Sequence, residues 1–235
     1  MAIQRLTLTQ IRNELLRIVG NYASSADADW ATDANLYRII NAYGAQVPRK
    51  ALKIAGIQPG QRAGLSIYRT IVNSATTGAW FVVAAGSATI YCPEDMDQLI
   101  GLYDRTNERK LDIVDDVSRW HIDTLRKKPA GPPEAVELLD VVVISSIYRR
   151  QGTIHPPTAS GVTPSFEGTY FRLPAIMAGT DPDNEYVDCE TKYQYLWLYG
   201  PAAELLRPNN PSYDRYKTEE LELLTALAST AQIVA

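Results

Sequence analysis

Leu6-Thr7-Leu8-Thr9-Gln10-Ile11-Arg12-Asn13-Glu14-Leu15-Leu16-Arg17-Ile18-Val19-Gly20 carries a helix start, a helix face and a helix stop in one short run. Thr7 stands three residues before Gln10, the spacing at which a capping hydroxyl and an amide side chain satisfy each other's backbone N–H groups. Leu6 and Ile11 occupy the two positions of a hydrophobic staple around that cap. Leu8, Ile11, Leu15, Ile18 and Val19 recur on one helical face and Gly20 follows as a stop, so a helix is predicted over about residues 8–19.

Beyond a polar link from Asn21 to Asp29, Thr32 offers a second N-cap, with Asp33 in the first turn where a carboxylate suits the helix dipole. Leu36, Ile39, Ile40, Tyr43 and Val47 predict a helix from about residue 33 to at least 47, ended or kinked by Pro48. Gly56, Pro59, Gly60 and Gly64 read as loop. Leu65, Tyr68, Ile71, Val72 and Ala75 fit a short helix or a strand pair, with the helix preferred.

From Trp80 the texture is that of strands. Trp80 to Val83, a break at Gly86-Ser87 and Thr89 to Tyr91 read as a hairpin closed by Pro93. Further strand-like runs are Leu99 to Tyr103, Arg109 to Ile113, Ala135 to Leu138, Val141 to Tyr148, Thr153-Ile154 and Thr169 to Leu173, with a short helix expected near Asp115 to Trp120. His155 to Pro164 reads as a long exposed loop.

Helical signals then return. Asp181-Pro182 has the form of an acidic N-cap followed by proline, and Val187, Tyr193, Leu196, Trp197, Tyr199, Ala203 and Leu206 make a broad apolar surface ending at Pro208. Asn210-Pro211 repeats the start signal, and Tyr216, Leu221, Leu223, Leu224 and Leu227 carry a last helix to about Ala228. The uncharged tail from Ser229 to Ala235 is expected to be mobile unless something binds it. The predicted fold is α+β: terminal helices from residues 1–78 and 181–235 form a helical bundle, and residues 79–180 form an inserted antiparallel β-sheet or small barrel.

Composition bounds the function. The chain has 235 residues, 46% hydrophobic and 21% charged, the range of globular proteins able to bury a core without staples. No apolar stretch approaches the roughly 20 residues of a membrane span, and the start lacks the apolar core of a Sec signal. Cys92 and Cys189 read as inert core thiols of a reducing compartment. The net charge is −4, and residues 181–235 hold 10 acidic against 4 basic side chains, a balance that argues against broad phosphate-backbone binding. Arg49-Lys50, Arg126-Lys127-Lys128 and Arg149-Arg150 read as solvated faces.

The catalytic templates fail on identity or spacing. Gly56, Gly60 and Gly64 have no Gly-Lys pair to cradle phosphate, and Gly64-Leu65-Ser66 and Gly86-Ser87 lack the second glycine of a nucleophile elbow. His121 and His155 alone cannot build a zinc site. Asp181, Asp183, Glu185 and Asp188 begin like a calcium loop, but Tyr186 stands where glycine is needed and Lys192 where a bidentate glutamate would close it; first-turn helix carboxylates are the preferred reading. Glu94, Asp95, Asp97, Asp115 and Asp116 read as turns and helix starts, since nothing predicts the raised pKa of a general acid. No enzyme activity, metal or cofactor is predicted. The unusual feature is the aromatic content, 14 tyrosines and 4 tryptophans, with Tyr186, Tyr193, Tyr195, Tyr199, Tyr213 and Tyr216 near the last two helices. That surface serves either plain burial or an interface.

Thr7 to Leu16, then Trp30-Ala31-Thr32-Asp33-Ala34-Asn35-Leu36 with Ile40-Asn41-Ala42, resembles the amino-terminal helices of tailed-bacteriophage head-to-tail adaptor (connector) proteins. Ala88 to Asp95 is similar to that family's strand ending in Tyr-x-x-Pro-x-Asp, with Cys92 where the pattern often has Leu, and the likeness continues through Leu99 to Tyr103, Arg109-Lys110-Leu111 and the closing helices. Residues 56–78 look like an insertion with no family counterpart.

The resemblance implies a virion neck protein, assembled in the host cytoplasm. Its subunits would form a closed, commonly twelve-fold ring that docks on the portal and receives the tail or nozzle. Genomic DNA would pass through the lumen without specific binding or a membrane, and few basic residues there would let it slide. A closed ring needs two different complementary patches on each subunit. Tyr195, Tyr199, Tyr213, Tyr216, Leu221 and Leu224 are the candidates for one, with Ile233 and Val234 in a tail, Ala231 to Val234, that would order against the portal. Another neck component, a stopper or terminator, and an enzyme with an unrecognised carboxylate site in the β region are the rival readings.

Overall fold

In the computed structural model the capping box forms as read: the Thr7 N–H donates to Gln10 Oε1 at 3.0 Å and the Gln10 N–H donates to Thr7 Oγ1 at 3.2 Å. The structure describes residues 5–20, 32–58, 61–73, 81, 83, 85–114, 119–144, 147–206, 208 and 210–233, with side chains described for all of these but 73, 119–122 and 139–150. Contacts divide the chain into two compact units, Met1–Tyr68 with Leu173–Ala235, and Arg69–Arg172.

The first unit holds helices α1 (Leu8–Gly20) and α2 (Asp33–Ile54), strand β1 (Ala63–Leu65), helices α4 (Leu196–Leu205) and α5 (Tyr213–Ala228) and strand β9 (Ala231–Ile233). Thr32 caps α2 as expected, accepting from the Asn35 N–H. The helix continues past Pro48 to Ile54, so the proline does not end it. Proline removes one N–H and crowds the carbonyl four residues back, and that residue here is Gly44. The helix ends instead at Gly56, whose φ of +78° supplies the left-handed turn. There the Ile57 N–H reaches Leu52 O and the Gly56 N–H reaches Lys53 O, a Schellman closure. Leu8, Leu15, Leu36, Ile40, Tyr43, Trp197, Leu224 and Leu227 share one buried cluster.

Two other expectations for this unit are corrected. Asp181 does not begin a helix: Asp181 to Asn184 forms a turn, and α4 starts only at Leu196 after a 3-10 turn at Thr191–Tyr193. The turn has a different use, because its carbonyls cap α1, with the Leu8 N–H on Glu185 O at 2.8 Å and the Thr9 N–H on Pro182 O at 3.1 Å. Nor does the chain trail off after Ser229. β9 pairs antiparallel with β1, Leu65 opposite Ala231 and Ala63 opposite Ile233, which gives the tail's backbone groups partners inside its own chain.

The second unit holds β2 (Arg69–Asn73), β3 (Thr89–Tyr91), β4 (Met96–Asp104), β5 (Arg109–Val114), helix α3 (Arg119–Arg126), β6 (Ala135–Ile144), β7 (Ile147–His155) and β8 (Phe166–Arg172). The strands form one sheet in the order β2-β8-β4-β5-β6-β7-β3. The protein is therefore a mixed α+β chain. The sheet is not wholly antiparallel, because β5 and β6 run parallel with α3 in the connection between them. Among the described residues β2 and β3 are its two ends.

Of residues 65–75, for which a helix was preferred over a strand pair, Leu65 ends β1, Ser66–Tyr68 is a 3-10 turn and Arg69–Asn73 is β2, because β8 offers β2 a five-residue ladder; Ala75 lies outside the described residues. Of the expected hairpin, the described part of the first arm meets the second, the Phe81 N–H donating to Tyr91 O at 2.9 Å, and β3 also pairs with β7. Trp80 and Val82 of its first arm lie outside the described residues, as do Asp115 and Asp116 of the expected helix near residues 115–120. Of the loop from His155 to Pro164 only residues 160–163 are exposed; the Thr158 N–H and hydroxyl both donate to Ser87 O. Met96, Leu99 and Leu102 are all buried at three-residue spacing on β4, which two register shifts against β8 make possible by resetting the side-chain phase.

Candidate interaction surface on the terminal helices

α4 is apolar almost all round, with seven of its ten residues buried. Gly44 of α2 receives the Trp197 indole, since a Cβ there would stand 2.4 Å from Nε1; Gly200 of α4 receives the Tyr43 ring, which would stand 1.8 Å from an added Cβ. This reciprocal wedge orients α4, so that Tyr193 just before it is buried while Tyr195 is 40% exposed.

The outward aromatics form a series. Tyr195 stacks on Tyr199 with centroids 5.5 Å apart and planes at 20°, and Tyr199 meets Tyr216 of α5 at 5.9 Å. Arg215 lies over the Tyr216 ring at 5.6 Å. Half-burial pushes the Tyr199 phenol above its usual range. These rings flank a groove of about 470 Å³ whose other wall is α1, with Gln10, Glu14 and Arg17 at its rim. Arg17 is paired with Glu14 and Arg215 with Glu219.

The expected site residues thus divide. Tyr195, Tyr199 and Tyr216 come together at the groove, and Tyr213 is half-buried on α5. Leu221 and Ile233 are exposed, at 53% and 65%. Leu224 is corrected: it is 4% exposed and belongs to the chain's own core, because it lies on the α5 stripe that faces inward with Leu227. Val234 lies outside the described residues.

One cluster escaped the sequence reading. Glu220 is 1% exposed, and it accepts from the Tyr43 hydroxyl at 2.5 Å, Lys50 Nζ at 3.2 Å and Lys217 Nζ at 2.5 Å. Burial alone would raise its pKa, but the bonds from Lys217 and Tyr43 and the Lys50 charge outweigh it and hold the carboxyl below its ordinary value. Lys50 also reaches Glu204 of α4 at 3.1 Å, so it is no solvated surface cation as expected. The signal in the sequence was a glutamate four and seven residues before Leu224 and Leu227, on the inward stripe of its helix.

Several of the other candidates have structural partners. Glu185 gathers the N–H groups of Gly179, Thr180 and Asp181, led by Gly179, and these hold its carboxyl below the usual range. Asp188 accepts from the Ala175 N–H and Asp95 from the Tyr170 hydroxyl. His155 is buried with Nε2 3.2 Å from Glu137, and the His121 side chain lies outside the described residues. Cys92 is buried; burial pushes the half-buried Cys189 thiol up to about 12, with the Asp188 charge adding to it. Among the described residues no group of His, Cys, Asp and Glu is arranged to hold a metal, and no helix is long and apolar enough to cross a membrane. No protein-family model matches the chain and no curated protein matches it significantly in sequence.

Proposed function

We propose that this chain is a structural ring subunit of a tailed-bacteriophage neck, a head-to-tail adaptor that joins the portal to the tail and lets DNA pass through its lumen. The motif resemblance at residues 7–16, 30–42 and 88–95 motivates the reading. The observation that carries it is the partly exposed tyrosine series Tyr195, Tyr199 and Tyr216, with Leu221 exposed on α5. Stacked tyrosines bring large contact area at little entropic cost, the composition favoured at the centre of protein interfaces.

In this reading α1, α2, α4 and α5 act as one helical bundle that meets the portal. The tyrosine groove is one of the two patches that a closed head-to-tail ring needs. The tail strand is already paired with β1, so the exposed Ile233 side chain, not an ordering of the tail, is its contribution. Light scattering and negative-stain microscopy of the purified chain, alone and with portal, test this. Rings or portal-bound rings are expected; a monomer at every concentration, with and without portal, sinks it.

A further inference from the structure

α5 is held differently from its neighbours. Only Glu220, Leu224, Leu227 and Ala228 of its sixteen residues are buried, and the sole buried position in its first half is the carboxylate. Tyr43 and Lys50 come to that carboxylate from α2, Lys217 comes from α5 itself, and Lys50 links on to Glu204 of α4. Beyond α5, the chain turns through Ser229-Thr230 into β9, whose hold on the fold is a three-residue ladder to β1 and the Ser66 N–H on Thr230 O. Gln232 and Ile233 are exposed. Tyr213, Tyr216, Leu223 and Ala231 pack only half-buried on the shared cluster, so Leu224, Leu227, Ala228 and the polar node are the fully buried hold on residues 213–233.

We propose that α5 and β9 form a strap that opens as a unit while α1, α2 and α4 stay folded, and that the Tyr43–Glu220–Lys217–Lys50 node is its latch. Segments with few buried apolar contacts open locally at a lower free energy than the whole molecule unfolds. A buried carboxylate that loses a donor is left with an unmet desolvation penalty, and opening of the strap, which returns it to water, relieves that penalty. α2 and α4 keep their mutual contacts when the strap lifts, because the Gly44–Trp197 and Gly200–Tyr43 wedges join them without it. The inference does not depend on the ring reading.

Hydrogen exchange followed by mass spectrometry on the full chain tests it. In the unaltered protein, amides of residues 213–233 and of their partners at 63–66 are expected to exchange together, ahead of the buried amides of α1 and α2. Tyr43→Phe keeps the ring against Gly200 but removes the hydroxyl, and Lys217→Met removes a half-exposed cation. Each is expected to speed exchange of the strap roughly ten- to a hundredfold, with α1 protection unchanged. Equal acceleration across α1, α2 and α5 in both variants overturns the strap, since it marks one cooperative unit. Unchanged strap exchange in both overturns the latch.

Discussion

Gly200 sits where the Tyr43 ring leaves no room for a methyl group, and Gly44 repeats the arrangement beneath Trp197. Both rings belong to the buried cluster that α4 shares with α2, so the collision falls on tightly packed aromatic side chains. Gly200→Ala is expected to destabilise the fold by about 1–3 kcal/mol in urea denaturation, the range for overpacking. Gly20→Ala, with nothing within 4 Å of the added atom, should stay within about 0.5 kcal/mol. Glu220 sets a pH dependence. Its carboxyl is held below its ordinary value near 4.5 by Lys217, Tyr43 and Lys50, against the effect of burial. A carboxylate with a lowered folded pKa contributes stability that is present above the unfolded value and is lost as pH falls through the folded one. Stability should therefore decline below about pH 4.5, and Glu220→Gln should flatten the part of that slope that Glu14 and Glu185, also lowered, do not supply. An unaltered slope in the variant would remove Glu220 from the account.

At the scale of elements, short-range chemistry was readable. The Thr7–Gln10 box needs only four residues in a row, and Thr7→Ala should cost about 1 kcal/mol in chemical denaturation. The start at Thr32 and the end of α5 at Ala228 were legible for the same reason: propensity, caps and periodicity act within a turn or two. What misled was context. Pro48 read as a stop or a kink, yet the helix runs on to Ile54 with the proline buried on its inward face. Asp181-Pro182 looked like a helix start, yet its carbonyls serve α1, more than 170 residues away in the chain. The three-residue spacing of Met96, Leu99 and Leu102 fits neither strand period until the register shifts are known. β9 was missed because an isolated run of Ala-Gln-Ile has no stability before β1 supplies its hydrogen bonds. Truncation after Thr230 should accordingly increase hydrogen exchange at residues 63–66, and no change there would show that β9 contributes nothing.

For the whole molecule, the proposed ring reading makes assembly through the tyrosine series separable from folding. Tyr195 and Leu221 are exposed, and neither belongs to the buried core. A Tyr195→Asp, Leu221→Asp double variant should keep its denaturation midpoint within about 1 kcal/mol of the parent yet lose higher-order species in light scattering. Loss of both together would assign these side chains to the fold instead. The sequence by itself determined that helices stand at both ends, that a strand-rich region lies between them, and where α1 and α5 lie, because these follow from local periodicity and capping. Only the tertiary structure decided the strand order, the parallel β5–β6 pair, the terminal strand, the burial of Leu224 and the Glu220 node. Each of these depends on which distant segment supplies a hydrogen bond or a wall, and that partner is set by the packing of the chain as a whole.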